Sequence, residues 1–391
     1  MTDLLVSDFF AFQDLLTPQE AESIGALRAY LESEVRPIVD DYWARAEFPH
    51  QVTKPLGELG MLGPLWEESR HFENSAVYRG WAALELARVD AGVATFVGVT
   101  SGLAMGSIGV GGSPEQRAEW LPRLATGEIV GAFGLTEPLS GSDSARGLRT
   151  VAERTADGWV LNGSKRWIGN ATFADVTVIW AKDTSDGQVK GFLVEKGTPG
   201  FTATKIEDKI SLRSVQNADI VLENVVVPEE RRLQKVESFR DVGTVLRLTR
   251  ADVAWQAIGI AIGAYEAAVR YAGERIQFGK PIASHQLVQD LLARCLGNIT
   301  ASIAMCVRVS QLLDEGRQKD QHSALAKAYA TARMRETVGW AREVLGGNGI
   351  VLEHGVARFF ADAEAIYSYE GTREMNTLIV GRAITGHAAF V

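Results

Sequence analysis

One carboxylate near the end of the chain has neighbours that suit proton transfer. Glu370 follows the run Tyr367-Ser368-Tyr369 and precedes Gly371. In a pocket without water, such neighbours destabilise the carboxylate anion and raise its basicity, as proton abstraction next to a carbonyl requires. The local sequence also allows a second interpretation, in which Glu370 is exposed and caps the helix that follows.

Two other segments could hold a ligand. Residues 133–143 are dense in hydroxyls and turn formers, and a loop of this kind offers hydroxyls and backbone N–H groups to a polar heterocycle. Residues 342–350 contain Gly346 and Gly347, which allow close approach of a backbone to a ligand. Each segment also has a purely structural interpretation, as a capped turn and as a helix end.

Three groups of elements must position these segments. Thr17, Pro18 and Glu20 predict a helix start, and apolar residues at helical spacing continue to about residue 128. Short stretches rich in β-branched and aromatic residues, separated by turn signals, then predict strands at 130–135, 158–168, 175–181, 190–195, 201–206 and 218–227. Helical spacing returns from Val236, with its longest runs at about 241–275, 283–315, 318–345 and 352–366.

This order predicts an α+β protein with three domains. They are an N-terminal helical domain at 1–130, a middle antiparallel β domain at 131–235, and a C-terminal helical bundle at 236–391. Because strands and helices are segregated rather than alternating, a Rossmann nucleotide-binding fold is disfavoured.

Composition narrows the class of protein further. The net charge of −9 over 391 residues argues against a nucleic-acid partner. The two cysteines, Cys295 and Cys306, form no CxxC or Cys/His spacing, so we expect neither a metal site nor redox work from them. No uninterrupted run of about 18 apolar residues occurs, and the first residues are acidic where a signal peptide is basic. We therefore expect a cytoplasmic enzyme without a membrane segment.

Six segments, taken in order, resemble the acyl-CoA dehydrogenases over nearly the whole chain. Residues 133–143, 342–350 and 366–374 are joined by 161–168, 191–195 and 275–281. The resemblance implies an N-terminal helical domain, a middle β domain and a C-terminal four-helix bundle. It also implies FAD as cofactor, an acyl-CoA substrate, and a homotetramer built from dimers in which two chains hold each FAD.

The resemblance assigns the catalytic base to Glu370. In the isovaleryl and long-chain types, the base instead precedes the arginine that corresponds to Arg250, and here that position is Thr249, which cannot serve. In the family, the backbone N–H of the catalytic glutamate and a flavin ribityl hydroxyl polarise the thioester carbonyl.

Further contacts are implied residue by residue. Around the flavin lie Phe133, Leu135, Thr136, Ser142, Trp167, Ile168 and Gly169, with Thr372 and Glu374 after the base. Residues that reach the FAD of a neighbouring subunit are Arg275, Phe278, Gln286, Glu343, Val344, Leu345, Gly346 and Gly347. The implied substrate contacts are Thr95, Ser142, Arg250, Tyr369 and Gly371.

The sequence is most similar to glutaryl-CoA dehydrogenases and plant short-chain acyl-CoA oxidases, and it departs from the dehydrogenase pattern in two places. Glutaryl enzymes place an arginine at the position of Ala94 and an acidic residue at that of Ala87. A dicarboxylate tail buried without a cation costs several kcal/mol. We therefore expect a short, uncharged acyl tail and poor turnover of glutaryl-CoA.

The second departure concerns the electron acceptor. Most dehydrogenases have a threonine at the position of Gly169, whereas the plant oxidases have a glycine, as this chain does. A glycine there leaves room for dioxygen or for a water. The expected function is FAD-dependent dehydrogenation of an acyl-CoA to the trans-2-enoyl-CoA, with electrons passing to an electron-transferring flavoprotein. An acyl-CoA oxidase, a glutaryl-CoA dehydrogenase and a catalytically silent scaffold are the alternatives.

Overall fold

A computed structural model describes residues 7–389 of the chain, and its first third is helical. Thr17 caps the first helix by accepting a hydrogen bond from Glu20 N, while the Glu20 carboxylate accepts one from Thr17 N, so the predicted capping box is confirmed. The helices are α1 Pro18–Tyr30, α2 Arg36–Arg45, α3 Thr53–Glu58, α4 Ala76–Val89, α5 Ala91–Val97, α6 Met105–Gly111 and α7 Pro114–Ala125.

A π-helical segment, Gly98–Ala104, joins α5 to α6. π-helical turns are frequent at functional sites. This segment contributes one wall of the cavity described below.

The middle of the chain forms a mixed sheet. Its strands are β1 Gly131–Gly134, β2 Val151–Thr155, β3 Gly158–Ile168, β4 Val176–Asp183, β5 Val189–Glu195, β6 Phe201–Lys205 and β7 Ala218–Val227, with a short α8 at Ser144–Gly147. The strand order is β1-β4-β2-β3-β7-β6, and β5 pairs with β4. The predicted α+β class is confirmed.

Two details of the sheet differ from the prediction. β4 pairs parallel with both β1 and β2, whereas the remaining pairs are antiparallel. Local composition predicts that a segment is extended but carries no information on the direction of its partner, which is why a purely antiparallel sheet was predicted. β2 was missed because Glu153, Arg154 and Thr155 are all exposed, so its apolar alternation is lost.

The last third is helical again. Its elements are α9 Phe239–Glu274, the hairpin β8 Ile276–Gln277 and β9 Lys280–Pro281, α10 Gln286–Asp314, α11 Asp320–Val344, α12 Ala357–Ser368 and α13 Arg373–Thr385. α9 packs against α4 of the first section and against α10 and α11 of the bundle, while α12 and α13 pack on α11. The long α9 therefore joins the first section to the bundle.

Two helical stretches of the described residues would be long and apolar enough to cross a membrane, judged by length and composition alone. They are Ala91–Gly111 and Gln286–Asp314. The first is 72% buried inside the protein. The second is α10, which buries one side, including Ile299 and Ile303, and leaves the other outside. The expectation of no membrane segment relied on uninterrupted apolar runs and stays a prediction.

Candidate active site

A cavity of about 950 Å³ lies between the sheet, the π-helical segment, α9 and the turn between α12 and α13. It brings together many of the residues singled out from the sequence: Thr95, Phe133, Leu135, Thr136, Ser142, Trp167, Ile168, Gly169, Arg250, Tyr369, Glu370, Gly371 and Thr372. Residues more than 270 positions apart in the chain therefore line one space. Its volume is at the upper end for small-molecule sites.

Glu370 is held in this cavity by an unusual turn. Its φ is 54° and that of Gly371 is 84°, so two consecutive residues are left-handed between α12 and α13. A glutamate in this region is strained by about 1–3 kcal/mol and persists only when its surroundings hold it. Thr372, not Glu370, caps α13, since its side chain accepts from Met375 N. The interpretation of Glu370 as an exposed cap is therefore wrong.

A buried lysine that the sequence analysis missed fixes this turn. Lys327 Nζ donates to the carbonyl oxygens of Tyr367 and Gly371, each at 2.8 Å. Burial lowers the pKa of Lys327 to about 8, although the nearby Glu370 acts in the opposite direction. Asn376 Nδ2 also donates to Gly371 O at 2.9 Å. Carbonyls on both sides of Glu370 are thus bound by one side chain from α11.

The surroundings of Glu370 make its carboxyl a stronger base than an exposed one. Burial raises the pKa of Glu370, while a hydrogen bond from Thr249 and the charges of Arg250 and Lys327 act against that rise. Thr249 Oγ1 donates to Glu370 Oε2 at 2.9 Å. The result is a carboxylate with raised proton affinity that is still stabilised as an anion, as a general base requires.

The neighbouring Tyr369 is fixed by a hydrogen bond to Gln256 of α9, which in turn bonds to α5. Its hydroxyl donates to Gln256 Oε1 at 2.7 Å, and Gln256 Nε2 donates to Ala94 O at 3.3 Å. The Thr95 hydroxyl donates to Ala91 O at 2.7 Å, so its hydrogen is already used. Since both hydroxyls already donate to protein groups, Tyr369 and Thr95 form part of the cavity wall and offer a ligand no free hydroxyl hydrogen.

On the sheet side, a buried ion pair holds the loop that follows β1. Lys165 Nζ lies 2.8 Å from Glu137 Oε1 and also donates to Leu135 O. The Lys165 ammonium keeps the pKa of Glu137 below its usual range, and the same carboxylate accepts from the backbone N–H groups of Arg149 and Thr150. Breaking such a pair leaves an uncompensated buried charge and costs about 3–5 kcal/mol. The loop that carries Leu135 and Thr136 is thereby fixed.

Trp167 presents its ring to the cavity. Its φ of 66° and the register shift between Lys165 and Ile168 place it in a bulge of β3. The indole remains 51% exposed, with the Arg166 guanidinium 5.0 Å from its centroid. A half-exposed aromatic ring held in a strained backbone offers a flat surface on which a planar ligand can stack.

Other predicted residues do not line the cavity. Arg275, Phe278 and Gln286 are exposed around the β8–β9 hairpin, and Glu343, Gly346 and Gly347 are exposed at the end of α11. Both segments adjoin Tyr271, which accepts from Arg275 N through its carbonyl and bonds Asn348 through its hydroxyl. The side chains of Val344 and Leu345 are buried in the bundle core, so only their backbone can meet a ligand. Glu374 is exposed and pairs with Arg373.

α9 carries site residues that the sequence analysis did not name as such. Thr249, Asp252, Val253 and Gln256 line the cavity at positions i, i+3, i+4 and i+7, which is one helical face. Projecting the predicted helix 241–275 from Arg250 would have grouped them. No sequence signal marks Lys327, because its role depends on where the ends of α12 and α13 meet α11.

The fold and the site together place a partly enclosed carboxylate in a cavity wide enough for a cofactor and a substrate. Family models for the N-terminal, middle and C-terminal domains of acyl-CoA dehydrogenase match residues 17–128, 132–225 and 239–385. An acyl-CoA dehydrogenase of Bacillus subtilis is 33% identical over 376 residues, which cover 95% of this chain and 99% of the relative.

Two solved structures are similar over nearly their full length. The glutaryl-CoA dehydrogenase of Mycobacterium smegmatis in complex with FADH2 has a TM-score of 0.95 at 35% identity, covering 99% of this chain and 100% of that one. The butyryl-CoA dehydrogenase of Megasphaera elsdenii has a TM-score of 0.90 at 33% identity, covering 94% and 98%. The chain belongs to the acyl-CoA dehydrogenase family, and it is an FAD-dependent oxidoreductase.

The residues present fit a flavin. The half-exposed Trp167 ring and the apolar Phe133, Leu135 and Ile168 suit a planar ring system. The Thr136 and Ser142 side chains, on the same loop, supply hydroxyls for its polar edge. These residues lie on the sheet side of the cavity, and Glu370 lies on the turn between α12 and α13.

Proposed function

We propose that this protein oxidises the C2–C3 bond of a short, uncharged acyl-CoA to the trans-2-enoyl-CoA, with Glu370 as the base. The observation that carries the proposal is the position of Glu370: it lines the cavity, accepts a hydrogen bond from Thr249, and has a raised pKa because of burial. A carboxylate in this state suits removal of a proton next to a thioester carbonyl.

Two groups of Glu370 take part in the reaction, its carboxylate and its backbone N–H. The Glu370 carboxylate takes a C2 proton, and the electron pair left on C2 becomes part of the new double bond. FAD, when bound, accepts the hydride that leaves C3. The backbone N–H of Glu370 has no acceptor among residues 7–389, so it is free to donate to the thioester oxygen as negative charge develops there.

The wall next to Glu370 supports an acyl tail without a negative charge. Val253, on the same face of α9 as Thr249, is nearly fully buried, and the acidic Asp252 lies between Thr249 and Gln256. A distal carboxylate would meet this second carboxyl, and the nearby Arg79 is already engaged by Asn74 and Asp314. Ala87 and Ala94 are buried and lie outside the cavity lining, so neither position supplies a charge. Glutaryl-CoA is therefore a poor substrate in this proposal.

The space next to Gly169 bears on the oxidase alternative. A Cβ placed on Gly169 would lie 3.1 Å from Val99 Cγ2, so a valine methyl already takes part of the space that a missing side chain leaves. This supports a dehydrogenase that passes its electrons to an electron-transferring flavoprotein rather than to dioxygen.

The exposed residues at the end of the bundle support an assembly of several chains. Phe278 is 92% exposed and Leu287 is 82% exposed, and both lie close in sequence to Arg275 and Gln286. Ile276, in the same hairpin, is 52% exposed, and a group of exposed apolar side chains is typical of a surface that another chain covers. A homotetramer built from dimers, with these residues at the FAD of a neighbouring chain, is part of the proposal.

Anaerobic mixing of the flavin-loaded protein with thioesters tests the proposal. We expect short acyl-CoA thioesters to bleach the flavin absorption band and glutaryl-CoA to do so at least about tenfold more slowly. Steady-state rates should be high with a dye or an electron-transferring flavoprotein as acceptor, and low with oxygen. No bleaching by any thioester, or fastest bleaching by glutaryl-CoA, would overturn the proposal or its substrate class.

A further inference from the structure

A second carboxyl lines the active-site cavity. Asp252 is three residues after Thr249 on α9, so its side chain leaves the helix on the same face, within about one turn of the residue that binds Glu370. A Cβ placed on Gly102 would lie 3.1 Å from Thr249 Cγ2 and 3.9 Å from Asp252 Oδ2. Both side chains therefore face the π-helical wall.

Asp252 has no visible structural role. It makes no hydrogen bond and no ion pair with any residue between 7 and 389. The nearby Arg79 is engaged elsewhere, because its Nη1 donates to Asn74 O and Oδ1 and its Nη2 lies 3.7 Å from Asp314. Asp252 is partly exposed to the cavity, and a carboxyl that faces a cavity without a protein partner is available to a group of the ligand.

The position of Asp252 identifies which part of the substrate it meets. Glu370 must lie at C2 of the acyl group. Val253, the next residue of α9, is nearly fully buried, and Gly102 of the π-helical segment lies against Asp252. In the proposal, the end of the acyl chain lies against this part of the wall, and the CoA moiety leaves on the other side of Glu370.

The protonation state of Asp252 selects the kind of group. Burial raises its pKa to about 7, Arg79 opposes that rise, and Glu370 adds to it. Near pH 7 a substantial fraction of the Asp252 carboxyl therefore keeps its proton. A protonated carboxyl both donates and accepts hydrogen bonds, which matches a hydroxyl group. A cationic tail would need the ionised form next to Arg79, and an anionic tail would face two carboxyls.

We propose that Asp252 selects acyl chains that carry a hydroxyl group beyond C3. The inference rests on the proposed function and narrows its substrate class from any short uncharged acyl-CoA to a hydroxyacyl-CoA. Asp252 acts as a specificity-determining residue and takes no part in the removal of the C2 proton.

Matched pairs of thioesters test this inference in the flavin-loaded enzyme. The pairs are butyryl-CoA with 4-hydroxybutyryl-CoA, valeryl-CoA with 5-hydroxyvaleryl-CoA, and hexanoyl-CoA with 6-hydroxyhexanoyl-CoA. In the wild type we expect kcat/KM for at least one hydroxyacyl-CoA to exceed that of its alkyl partner by about tenfold or more, because a site built to bind a hydroxyl discriminates against the analogue that lacks it.

Two variants separate the role of the carboxyl from effects on folding. Asp252→Val should reverse the preference within that pair, whereas Asp252→Asn, which keeps a donor and an acceptor, should retain it. Because each ratio is measured within one protein, loss of folded enzyme cancels. The inference is wrong if the alkyl partner is preferred at every length in the wild type, or if Asp252→Val leaves the ratio unchanged. Failure of the proposed function differs, since no thioester would then bleach the flavin.

Discussion

Two carboxyl groups line one cavity and differ in almost every contact. Glu370 lies on a strained turn and accepts from Thr249, with Arg250 and Lys327 nearby. Asp252 lies on a regular helix and has no hydrogen bond or ion pair within residues 7–389. Burial raises the pKa of both groups, but only Glu370 has a hydrogen-bond donor that stabilises its anion.

This contrast shows how two carboxyls in one cavity can be held for different tasks. A hydrogen-bond donor and nearby cations favour the charged form of a carboxyl, whereas burial without a partner disfavours it. We propose on these contacts that Glu370 takes the C2 proton and that Asp252 meets the acyl chain. Changing the partners of either carboxyl should weaken or abolish this difference in role.

The largest expected effect comes from removing the base. Glu370→Gln should lower kcat for the best thioester by about 10³-fold or more, because the amide cannot take a proton, and flavin binding should be unchanged. Steady-state assays with a dye acceptor, together with the flavin absorption band, measure both. Glu353→Gln, at an exposed position, is the control and should keep full activity. Near wild-type kcat in Glu370→Gln would remove the base assignment.

A smaller loss should follow when the turn around Glu370 loses its donor. Lys327→Met leaves the carbonyls of Tyr367 and Gly371 unpaired by this side chain and removes a cation that lowers the pKa of Glu370. We expect kcat to fall about 10- to 100-fold, with little change in KM, and the acid limb of the pH profile to move to higher pH.

The pH profile distinguishes positioning from a purely structural role. If Lys327→Met only lowers the thermal midpoint and the flavin content, without moving the acid limb, then the residue stabilises the fold and does not tune the base. Lys196→Met, on an exposed turn after β5, should change none of these quantities.

A more modest effect is expected from the hydroxyl that binds the base. Thr249→Val removes a bond that stabilises the Glu370 anion, so the pKa of Glu370 rises further and the base is ionised only at higher pH. The loss in kcat/KM should be up to about tenfold at low pH and should shrink as the pH rises. Thr244→Val, on the same helix, removes a hydroxyl that donates to Arg240 O and should leave the profile in place.

The smallest effect concerns stability. The pKa of Asp252 is 3.8 in an unfolded chain and rises to about 7 on folding, so the folded state binds a proton more tightly. Its contribution to stability is complete below pH 4 and is lost as pH rises through about 7. Asp252→Asn should therefore gain a few degrees in thermal midpoint relative to wild type between pH 4 and pH 8.

The control for this prediction is Asp157→Asn, in the exposed turn between β2 and β3. Its thermal midpoint, measured for the flavin-loaded protein without substrate, should follow that of the wild type at every pH. A difference between Asp252→Asn and wild type that is the same at pH 4 and pH 8 would show that Asp252 does not take up a proton on folding.

Much of the architecture could be predicted because it depends on local patterns. The capping box at Thr17, the strands around Gly158–Ile168 and Ala218–Val227, and the long helices of the last third all follow from spacing and turn chemistry. The parallel pairing of β4 with β1 and β2 could not be predicted, because strand direction depends on how the connections cross the sheet. The domain boundaries at 130 and 235 stay predictions, as does the cytoplasmic location.

The site residues also divide into those that the local sequence could predict and those that it could not. Glu370 could be identified because an aromatic run and a glycine accompany it in sequence. Lys327 and Asp252 could not, since their importance depends on which helices meet: α11 at the ends of α12 and α13, and α9 at the π-helical segment. The implied contacts of Arg275, Phe278 and the end of α11 with the FAD of another chain stay predictions too.

Exchange of C2 protons tests most directly which carboxyl is the base. Acetyl-CoA has no C3, so proton transfer can be followed without hydride transfer when the flavin-loaded enzyme is incubated with it in deuterated water. Mass spectrometry of the recovered thioester should show deuterium gained with the wild type and with Asp252→Asn, and none above background with Glu370→Gln. Exchange that persists in Glu370→Gln, or that disappears in Asp252→Asn, would contradict the roles assigned to the two carboxyls.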